Sequence, residues 1–373
     1  MTISAIPTRI PATVITGFLG SGKTTLIRNI ITQANGKRLA LIVNEFGDVG
    51  MDGAMLAECG ADSCSVDDII ELANGCICCT VADDFLPSIQ SLLAQNPPPD
   101  HIIIETSGLA LPQPLVQAFG WPDIRAQVML DGVVTLVDGP ALAGGSVAHD
   151  LEALERQRAA DEELDHDSPI DELFKDQISA ANLIILSKAD MLDDVGMERA
   201  RAAVEAHLHD NTPIITVAGG KAPLSAVLGL DMEDEAHHRA KHHHHHHHDD
   251  EDHEHEHKHE HGHDEFASHI IALGKVEDAG AFQAQIRTLA NSHGILRAKG
   301  RVPVEGKALP FVVQAVGQRV DGYFAPQPAP VGNDSNAGRL VVIGLAGLDA
   351  AAIASQLGGS VIMDSGSDAS PQN

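Results

Sequence analysis

Basic residues are scarce in this 373-residue chain, which has 24 Lys and Arg against 53 Asp and Glu and a formal net charge of −29. A chain this acidic repels phosphate backbones and anionic membrane surfaces. Long apolar runs are also missing, since no stretch approaches the roughly 18 residues that a membrane helix needs, and residues 1–11 lack the apolar core of a signal peptide. We therefore expect a cytoplasmic protein that binds neither nucleic acid nor membranes.

Cysteine is equally scarce and confined to one short segment. The chain has five cysteines, Cys59, Cys64, Cys76, Cys78 and Cys79. An odd number, close together in a chain without an export signal, does not fit a disulfide framework. The pattern favours a metal-binding or redox role.

The length of the chain predicts two domains with room for a linker. Residues 1–225 alternate helical stretches with short, wholly apolar runs at 39–43, 101–104, 132–137, 183–186 and 213–217. Such runs are typical of strands that are buried on both faces of a parallel sheet. We predict an α/β nucleotide-binding domain with a mainly parallel sheet.

The composition changes abruptly in the second part of the chain. Residues 226–265 include seven consecutive histidines at 242–248 and alternating His and acid from 253 to 263. No packed core forms from such residues, so we predict a disordered linker; an expression tag, the alternative, would normally lie at a terminus. Residues 266–360 then predict a small α+β domain, and residues 361–373 a disordered tail.

A phosphate-binding loop is the strongest motif. The sequence Gly17-Phe18-Leu19-Gly20-Ser21-Gly22-Lys23-Thr24 matches G-x-x-x-x-G-K-[ST] between a β-rich run at 12–16 and a helical run that begins at Thr25. In this motif backbone N–H groups cradle phosphates, Lys23 reaches the β- and γ-phosphates as a catalytic group, and the hydroxyl of Thr24 binds Mg²⁺. A glycine-rich turn without a ligand is the alternative, but the strand and helix around it favour nucleotide binding.

Glu105 is the candidate acid of the nucleotide site. It ends the apolar run 102–104, and Gly108 follows three residues later. This arrangement places a carboxylate near Mg²⁺ or its water and a backbone N–H near the γ-phosphate. The alternative is an acid that only caps a helix.

Two further segments complete the predicted nucleotide site. Ser187, Lys188 and Asp190 follow the apolar run 183–186, and a carboxylate at Asp190 could accept hydrogen bonds from guanine but not from adenine. Many guanine-specific GTPases have Asn where this chain has Ser187. Residues 44–48 predict a switch loop that responds to hydrolysis, with a plain surface turn as the alternative.

Two segments are candidates for binding transition metals. Cys76 and Cys78, two residues apart, can point the same way in an extended segment, and Cys79 is a third candidate ligand for Zn²⁺ or Co²⁺. Free buried thiols or a redox set are the alternatives. The histidine tract predicts several weak, exchangeable metal sites for storage or capture, with a solvated polar linker as the alternative.

Taken together, these motifs resemble the CobW family of P-loop GTPase metallochaperones. The resemblance rests on segments 16–25, 44–47, 75–79 and 105–108, together with residues 296–300, which are similar to the strand signature of that family's second domain. It implies GTP hydrolysis, with nucleotide, Mg²⁺ and metal roles for the residues singled out above.

The resemblance also implies a cargo metal and a client protein. The family includes cobalt and zinc chaperones, and Leu111 stands where many members carry an acid, which favours Co²⁺ for cobalamin biosynthesis and a cobaltochelatase as the client. A zinc chaperone, a regulatory GTPase or a non-enzymatic metal store remain alternatives. The sequence leaves the oligomeric state open.

Overall fold

The computed structural model describes most of the chain in eight segments. These are residues 9–34, 36–43, 69–71, 85–160, 169–208, 211–229, 264–325 and 338–362. Within them, no helix has the length and apolar character needed to cross a membrane.

The first domain is built on a seven-stranded sheet in the order β3-β2-β4-β1-β5-β6-β7, in which every neighbouring pair is parallel. Five of its strands are buried at every position, as the wholly apolar runs predict. The strands are β1 (Ile10–Thr16), β2 (Leu39–Val43), β3 (Ile69–Glu71), β4 (His101–Glu105), β5 (Val128–Asp138), β6 (Leu183–Ser187) and β7 (Ile214–Val217).

Helices cover both faces of this sheet. Successive residues of β1 point to opposite faces, so Ile15 packs in one core cluster with Ile30 and Val14 packs in another with Ile89. The helices are α1 (Lys23–Gln33), α2 (Leu86–Ala94), α3 (Gln113–Ala118), α4 (Pro122–Arg125), α5 (Gly139–Ala143), α6 (Leu151–Ala160), α7 (Ile170–Ala180), α8 (Asp194–Glu205) and α9 (Leu224–Leu228).

The second domain is an antiparallel sheet in the order β11-β10-β9-β12-β8-β13, with two helices packed on one face. Ile286 and Ile353 from the helices meet Val313 and Leu340 from the sheet in one buried cluster. The elements are β8 (Phe266–Leu273), α10 (Ala279–His293), β9 (Ile295–Val302), β10 (Phe311–Val316), β11 (Arg319–Phe324), β12 (Gly338–Leu345), α11 (Ala350–Gln356) and β13 (Ser360–Val361). The predicted fold class, a P-loop α/β domain followed by a small α+β domain, is confirmed.

The structure extends the sequence-based prediction in several places, which include the short strands β3 (Ile69–Glu71) and β13 (Ser360–Val361). β5 begins at Val128, four residues before the predicted run at 132–137. β11 was not predicted, because it lies at the edge of its sheet, mixes polar and apolar residues and contains Gly322. An edge strand is only partly covered, so it needs no continuous apolar run.

An apolar contact joins the two domains. Phe266, Leu296 and Val316 of the second domain lie in the same buried cluster as Leu136 of β5. The fit is close, since a Cβ atom added at Gly132 would lie 3.2 Å from the side chain of Val316. The second domain therefore packs against β5, with its close approach at Gly132 in the amino-terminal half of the strand.

A buried polar chain crosses the same interface. The Arg297 guanidinium of β9 lies 2.6 Å from the Asp131 carboxylate of β5. Asp131 accepts a hydrogen bond from the Thr13 hydroxyl at 3.2 Å, and that hydroxyl lies 2.8 Å from Nε2 of His101. Burial lowers the pKa of His101 to about 3, so this imidazole is neutral at physiological pH.

Candidate functional site

The carboxyl ends of four parallel strands align at one edge of the first sheet. Ile15 is in register with Glu105, Glu105 with Val43, and Val43 with Glu71. Because neighbouring strands are about 4.8 Å apart, the backbones of Glu71 and Glu105 are separated by roughly 10 Å. Ligands of open α/β sheets bind at this edge.

The phosphate-binding loop connects β1 to α1 at this edge. Gly17, Gly20 and Gly22 have φ values of 137°, 77° and 97°, a region that side chains with a Cβ atom rarely adopt. A Cβ atom at Gly17 would also lie 2.2 Å from the carbonyl oxygen of Leu136. The loop geometry therefore needs glycine at these positions.

The two apolar residues of the loop have different environments. Phe18 is buried, and its ring centroid lies 6.0 Å from that of Phe174 in α7. Leu19 is 43% exposed. Phe18 thus anchors the loop to the domain core, while Leu19 lies at the surface of the site.

The end of the loop offers positive charge to an anion. Lys23 Nζ donates hydrogen bonds to the carbonyl oxygens of Gly17 at 2.7 Å and Phe18 at 3.4 Å, so the ammonium group lies across the loop. α1 begins at Lys23 without a side-chain cap, which leaves its positive amino end available to phosphate. Thr24 is partly buried and Thr25 is exposed on the first turn of α1.

Glu105 to Gly108 pack directly against the phosphate-binding loop. Glu105 is 4% exposed at the end of β4, and the Thr106 backbone N–H donates to the Ile15 carbonyl at 3.0 Å. A Cβ atom at Gly108 would lie only 2.8 Å from the backbone nitrogen of Leu19. The two predicted nucleotide segments are thus brought into contact.

Several buried hydroxyl groups around these segments have unused hydrogen-bonding capacity. Within the described segments, Thr16 Oγ1, Ser21 Oγ, Thr106 Oγ1 and Ser107 Oγ have no hydrogen-bond partner. Buried polar atoms are normally paired, so their clustering here fits a polar ligand at this edge. Oxygen donors from Thr24 and Glu105 also suit Mg²⁺, which prefers hard oxygen ligands.

Gln177 of α7 holds the segment that follows Glu105, and sequence reasoning missed it. Its side-chain Nε2 donates to the carbonyl oxygens of Gly108 at 2.9 Å and Ala110 at 3.1 Å, and the residue is 1% exposed. A single glutamine in an amphipathic helix carries no motif, so no signal in the sequence marked it.

The predicted guanine-binding residues lie at the end of β6. Asp190 is exposed in a single 3₁₀ turn, Ala189–Met191. The Ser187 hydroxyl donates to the Val137 carbonyl at 3.0 Å and would lie 4.0 Å from a Cβ atom at Gly22. Ser187 is therefore close to the phosphate-binding loop, and the role of Asp190 stays a prediction.

Lys188 is fixed by a partner that the sequence analysis did not select. It adopts a φ of 56°, the single non-glycine residue with positive φ in the described ranges, and its Nζ lies 2.6 Å from Asp138. Asp138 is 2% exposed at the end of β5 and also caps α5 through the Ala141 N–H. Its position directly after an apolar strand was the signal that could have identified it.

The candidate metal ligands lie outside the described residues. These are the transition-metal candidates Cys76, Cys78 and Cys79 and the histidine tract. Cys59 and Cys64, which lack the ligand spacing, and the predicted switch loop at 44–48 also lie outside the described residues. In the part of the chain that the structure describes, no group of three or more His, Cys, Asp or Glu side chains is arranged to hold a metal ion. The metal-binding predictions therefore stay predictions.

Comparisons with known proteins match both domains of the chain. The CobW/HypB/UreG nucleotide-binding domain matches residues 11–216, and the cobalamin synthesis protein cobW C-terminal domain matches residues 266–361. A zinc chaperone CobW from Sinorhizobium sp is 48% identical over 347 residues, which cover 92% of this chain and 95% of the relative.

Two further known proteins are similar to this chain in sequence. A zinc chaperone CobW from Pseudomonas aeruginosa is 46% identical over 355 residues, covering 94% of this chain and 91% of the relative. A zinc-regulated GTPase metalloprotein activator 1 from Schizosaccharomyces pombe is 33% identical over 204 residues, 52% of this chain and 43% of the relative. With both domains matched in order and nearly the whole chain aligned, this chain belongs to the CobW family of P-loop GTPases.

Proposed function

We propose that this chain is a metallochaperone that binds a divalent metal tightly in the GTP state and releases it to a client protein after hydrolysis. The cargo is bound by Cys76, Cys78 and Cys79. The supporting observation is the register that aligns Glu71 with Val43 and Val43 with Glu105 at one edge of the sheet.

This register supports a connection between the two predicted sites. Residues 72–84, which contain the three cysteines, follow Glu71 directly in the chain, and the switch residues 44–48 follow Val43. The segment that packs on the phosphate-binding loop follows Glu105. Three segments with different predicted roles therefore follow three adjacent strands whose carboxyl ends are in register.

The nucleotide chemistry follows from the residues of the phosphate-binding loop. Backbone N–H groups of residues 17–22 and the Lys23 ammonium bind the phosphates, and Asp190 accepts hydrogen bonds from guanine. Thr24 and Glu105 would hold Mg²⁺, which supplies positive charge to the phosphate oxygens when bound. In this proposal the Gly108 N–H senses the γ-phosphate.

Hydrolysis can change the metal affinity only if the two nucleotide states differ at the cysteines. In our proposal, the γ-phosphate orders residues 44–48 and 105–108, and this order extends to the neighbouring segment after Glu71. Loss of the γ-phosphate relaxes these segments and weakens the thiolate site. The client then takes the metal from the GDP state.

We propose zinc as the cargo. Two relatives aligned over more than nine tenths of this chain are named zinc chaperones, which favours the alternative cargo over the cobalt expected from Leu111. The order of intrinsic affinities agrees, because Zn²⁺ binds such sites more tightly than Co²⁺. The client is then a zinc-dependent cytoplasmic protein, and a cobaltochelatase would be expected only with cobalt.

Competitive titration with Zn²⁺ and Co²⁺ tests this proposal. The purified chain is titrated with Mg²⁺ and GDP, and then with Mg²⁺ and a slowly hydrolysed GTP analogue. We expect zinc to bind at least about tenfold more tightly in the analogue state, which corresponds to about 1.4 kcal/mol of coupling.

A pair of cysteine variants provides the control. Cys78→Ala should remove the nucleotide dependence of metal binding, while Cys64→Ala, outside the C-x-C-C motif, should keep it. Equal zinc affinity in both nucleotide states would overturn the gating proposal. A preference for cobalt over zinc in the analogue state would overturn the proposed cargo but leave gating intact.

A further inference from the structure

A cleft of about 500 Å³ lies between the two domains. It lies at the amino ends of the strands of the first sheet, whereas the nucleotide site lies at their carboxyl ends. Its first wall contains Arg9 and Arg38, from the amino ends of β1 and β2, and its second wall contains Lys299, Arg301 and Tyr323. The volume lies within the range of ligand pockets in proteins. Among the described residues that line it, none belongs to the phosphate-binding loop.

The cleft is positively charged in a strongly acidic protein. Asp100 is the single carboxylate among the described residues that line it, and Asp100 is paired with Arg38 at 3.1 Å. The Arg9 guanidinium lies 5.8 Å from the centre of the Tyr323 ring. Residues 266–362 have eight Lys and Arg against six Asp and Glu, whereas acids outnumber bases by more than two to one in the whole chain.

Two arginines lie side by side on the face of the second domain's sheet next to this cleft. Arg301 of β9 is in register with Arg339 of β12, and both are exposed. Neither arginine pairs with a carboxylate in the described ranges. Directly opposed like charges destabilise a sheet, so this arrangement indicates a function that needs the charge.

One neutral hydrogen-bond donor in the cleft also has unused capacity. Gln314 Nε2 is buried without a hydrogen-bond partner in the described residues, and Gln314 is in register with Lys299. Tyr323 lies in the same cross-strand row as Arg301, through Val312. Amide, phenol and guanidinium donors on one face suit an oxygen-rich anion.

Lys299 and Arg301 are two residues apart on one strand, so their side chains emerge on the same face about 6.6 Å apart along it. An extended peptide with acids on alternate residues repeats its carboxylates at the same spacing. About half of the lining is apolar, including Ile10, Leu93 and Val312, which suits the aliphatic parts of a peptide better than a bare phosphate.

We propose that this cleft binds an extended acidic peptide segment of a partner protein, with carboxylates on alternate residues paired to Lys299 and Arg301. Arg339, beside Arg301 on the neighbouring strand, adds positive charge at the margin of the cleft. Binding here leaves the nucleotide edge of the sheet open, so a partner can dock without covering that edge. The proposal does not depend on metal transfer.

A direct binding measurement tests the proposal. A fluorescent peptide of alternating Ser and Glu is titrated with the full chain in saturating Mg²⁺ and GDP, so that the phosphate-binding loop is occupied. We expect binding that weakens with salt and becomes at least about tenfold weaker in Arg301→Glu/Arg339→Glu. Lys275→Glu/Lys307→Glu, the same charge change at two exposed residues of that domain that do not line the cleft, should leave the affinity unchanged.

The folded state of each variant is checked by thermal unfolding, and Arg301→Gln provides a milder change that should weaken binding in the same direction. Equal binding to all variants, or none to the unaltered chain, would overturn the proposal. Tighter binding of pyrophosphate or single-stranded RNA than of the peptide would assign the cleft to another anion. Binding only after deletion of residues 237–263 would make the chain's own acidic tract the occupant.

Discussion

Arg297 and Asp131 form a buried ion pair that joins the two domains, with 2.6 Å between Nη1 and Oδ2 and side chains that are 2% and 5% exposed. Arg297 also donates to the carbonyl oxygens of Ala226, at 2.6 Å, and Val227. A single guanidinium from the second domain therefore binds both β5 and α9 of the first. Charge and hydrogen bonds are satisfied together, as a buried ion pair requires.

Replacement of Arg297 by Met should be strongly destabilising. The change leaves the Asp131 carboxylate buried without a counter-charge, which typically costs about 3–5 kcal/mol. Urea unfolding would measure the loss. Arg297→Met/Asp131→Asn should recover part of it, and Arg287→Met, at an exposed position of α10, should change stability little; an equal loss in that control would contradict the assignment.

His101 should make stability depend on pH. Its folded-state pKa of about 3 lies below the usual value of 6.5, so the unfolded chain binds the proton more readily between these values. Stability should therefore fall as pH decreases below about 6.5, by roughly 2 kcal/mol between pH 7 and pH 5. Burial dominates this shift, with Asp131 opposing it and Arg297 and Lys299 adding to it.

The measurement is urea unfolding at pH 7 and pH 5 for the unaltered chain and for His101→Gln. Glutamine can still donate to the Thr13 hydroxyl but does not titrate. The variant should lose most of the pH dependence over this range. An equal slope in both proteins would show that other groups are responsible.

Gly108→Ala should slow GTP hydrolysis. The added Cβ atom would lie 2.8 Å from the Leu19 backbone nitrogen, so the segment after Glu105 has to move away from the phosphate-binding loop. Misplacement of this size typically costs roughly 10- to 100-fold in rate. Steady-state phosphate release measures kcat, and Gly274→Ala is the control because a Cβ atom there would meet nothing within 4 Å. A normal kcat in Gly108→Ala would argue against a role for this contact.

Gln177→Met should loosen the same segment from a distance. It removes two hydrogen bonds and leaves the Gly108 and Ala110 carbonyls buried without those donors, at a cost of about 2 kcal/mol. Amide hydrogen exchange of residues 107–110 should increase and kcat should fall. Gln285→Met, at an exposed glutamine bonded to the Gln356 carbonyl, should affect neither.

Asp190→Asn should change the base preference. In the proposed function the Asp190 carboxylate accepts hydrogen bonds from guanine. Asparagine offers a donor at that position, where xanthine has a carbonyl. We expect about 100-fold weaker GTP binding and a gain for XTP. Competition binding measures the affinities for GTP and XTP. Asp194→Asn, at an exposed residue in the first turn of α8, is the control. Unchanged GTP affinity in Asp190→Asn would place the base elsewhere.

Local sequence patterns predicted most of the segments that form the nucleotide site at the carboxyl ends of the strands. The glycines at 17, 20 and 22 and the apolar runs before Gly17, Glu105 and Ser187 depend on backbone sterics and burial, which act over a few residues. The edge strand β11 was missed because a partly covered strand carries a weaker apolar pattern. The metal ligands and the switch loop remain predictions from motif and spacing.

The sequence alone determined the parallel sheet, the phosphate-binding loop and the succession of two domains, because each depends on short-range periodicity or steric requirements. Only the tertiary structure decided which distant residues meet. Gln177 reaches Gly108 across 69 positions and Arg297 reaches Asp131 across 166. Such pairs are selected by the packing of whole elements, and a single buried side chain carries no local signal of its partner.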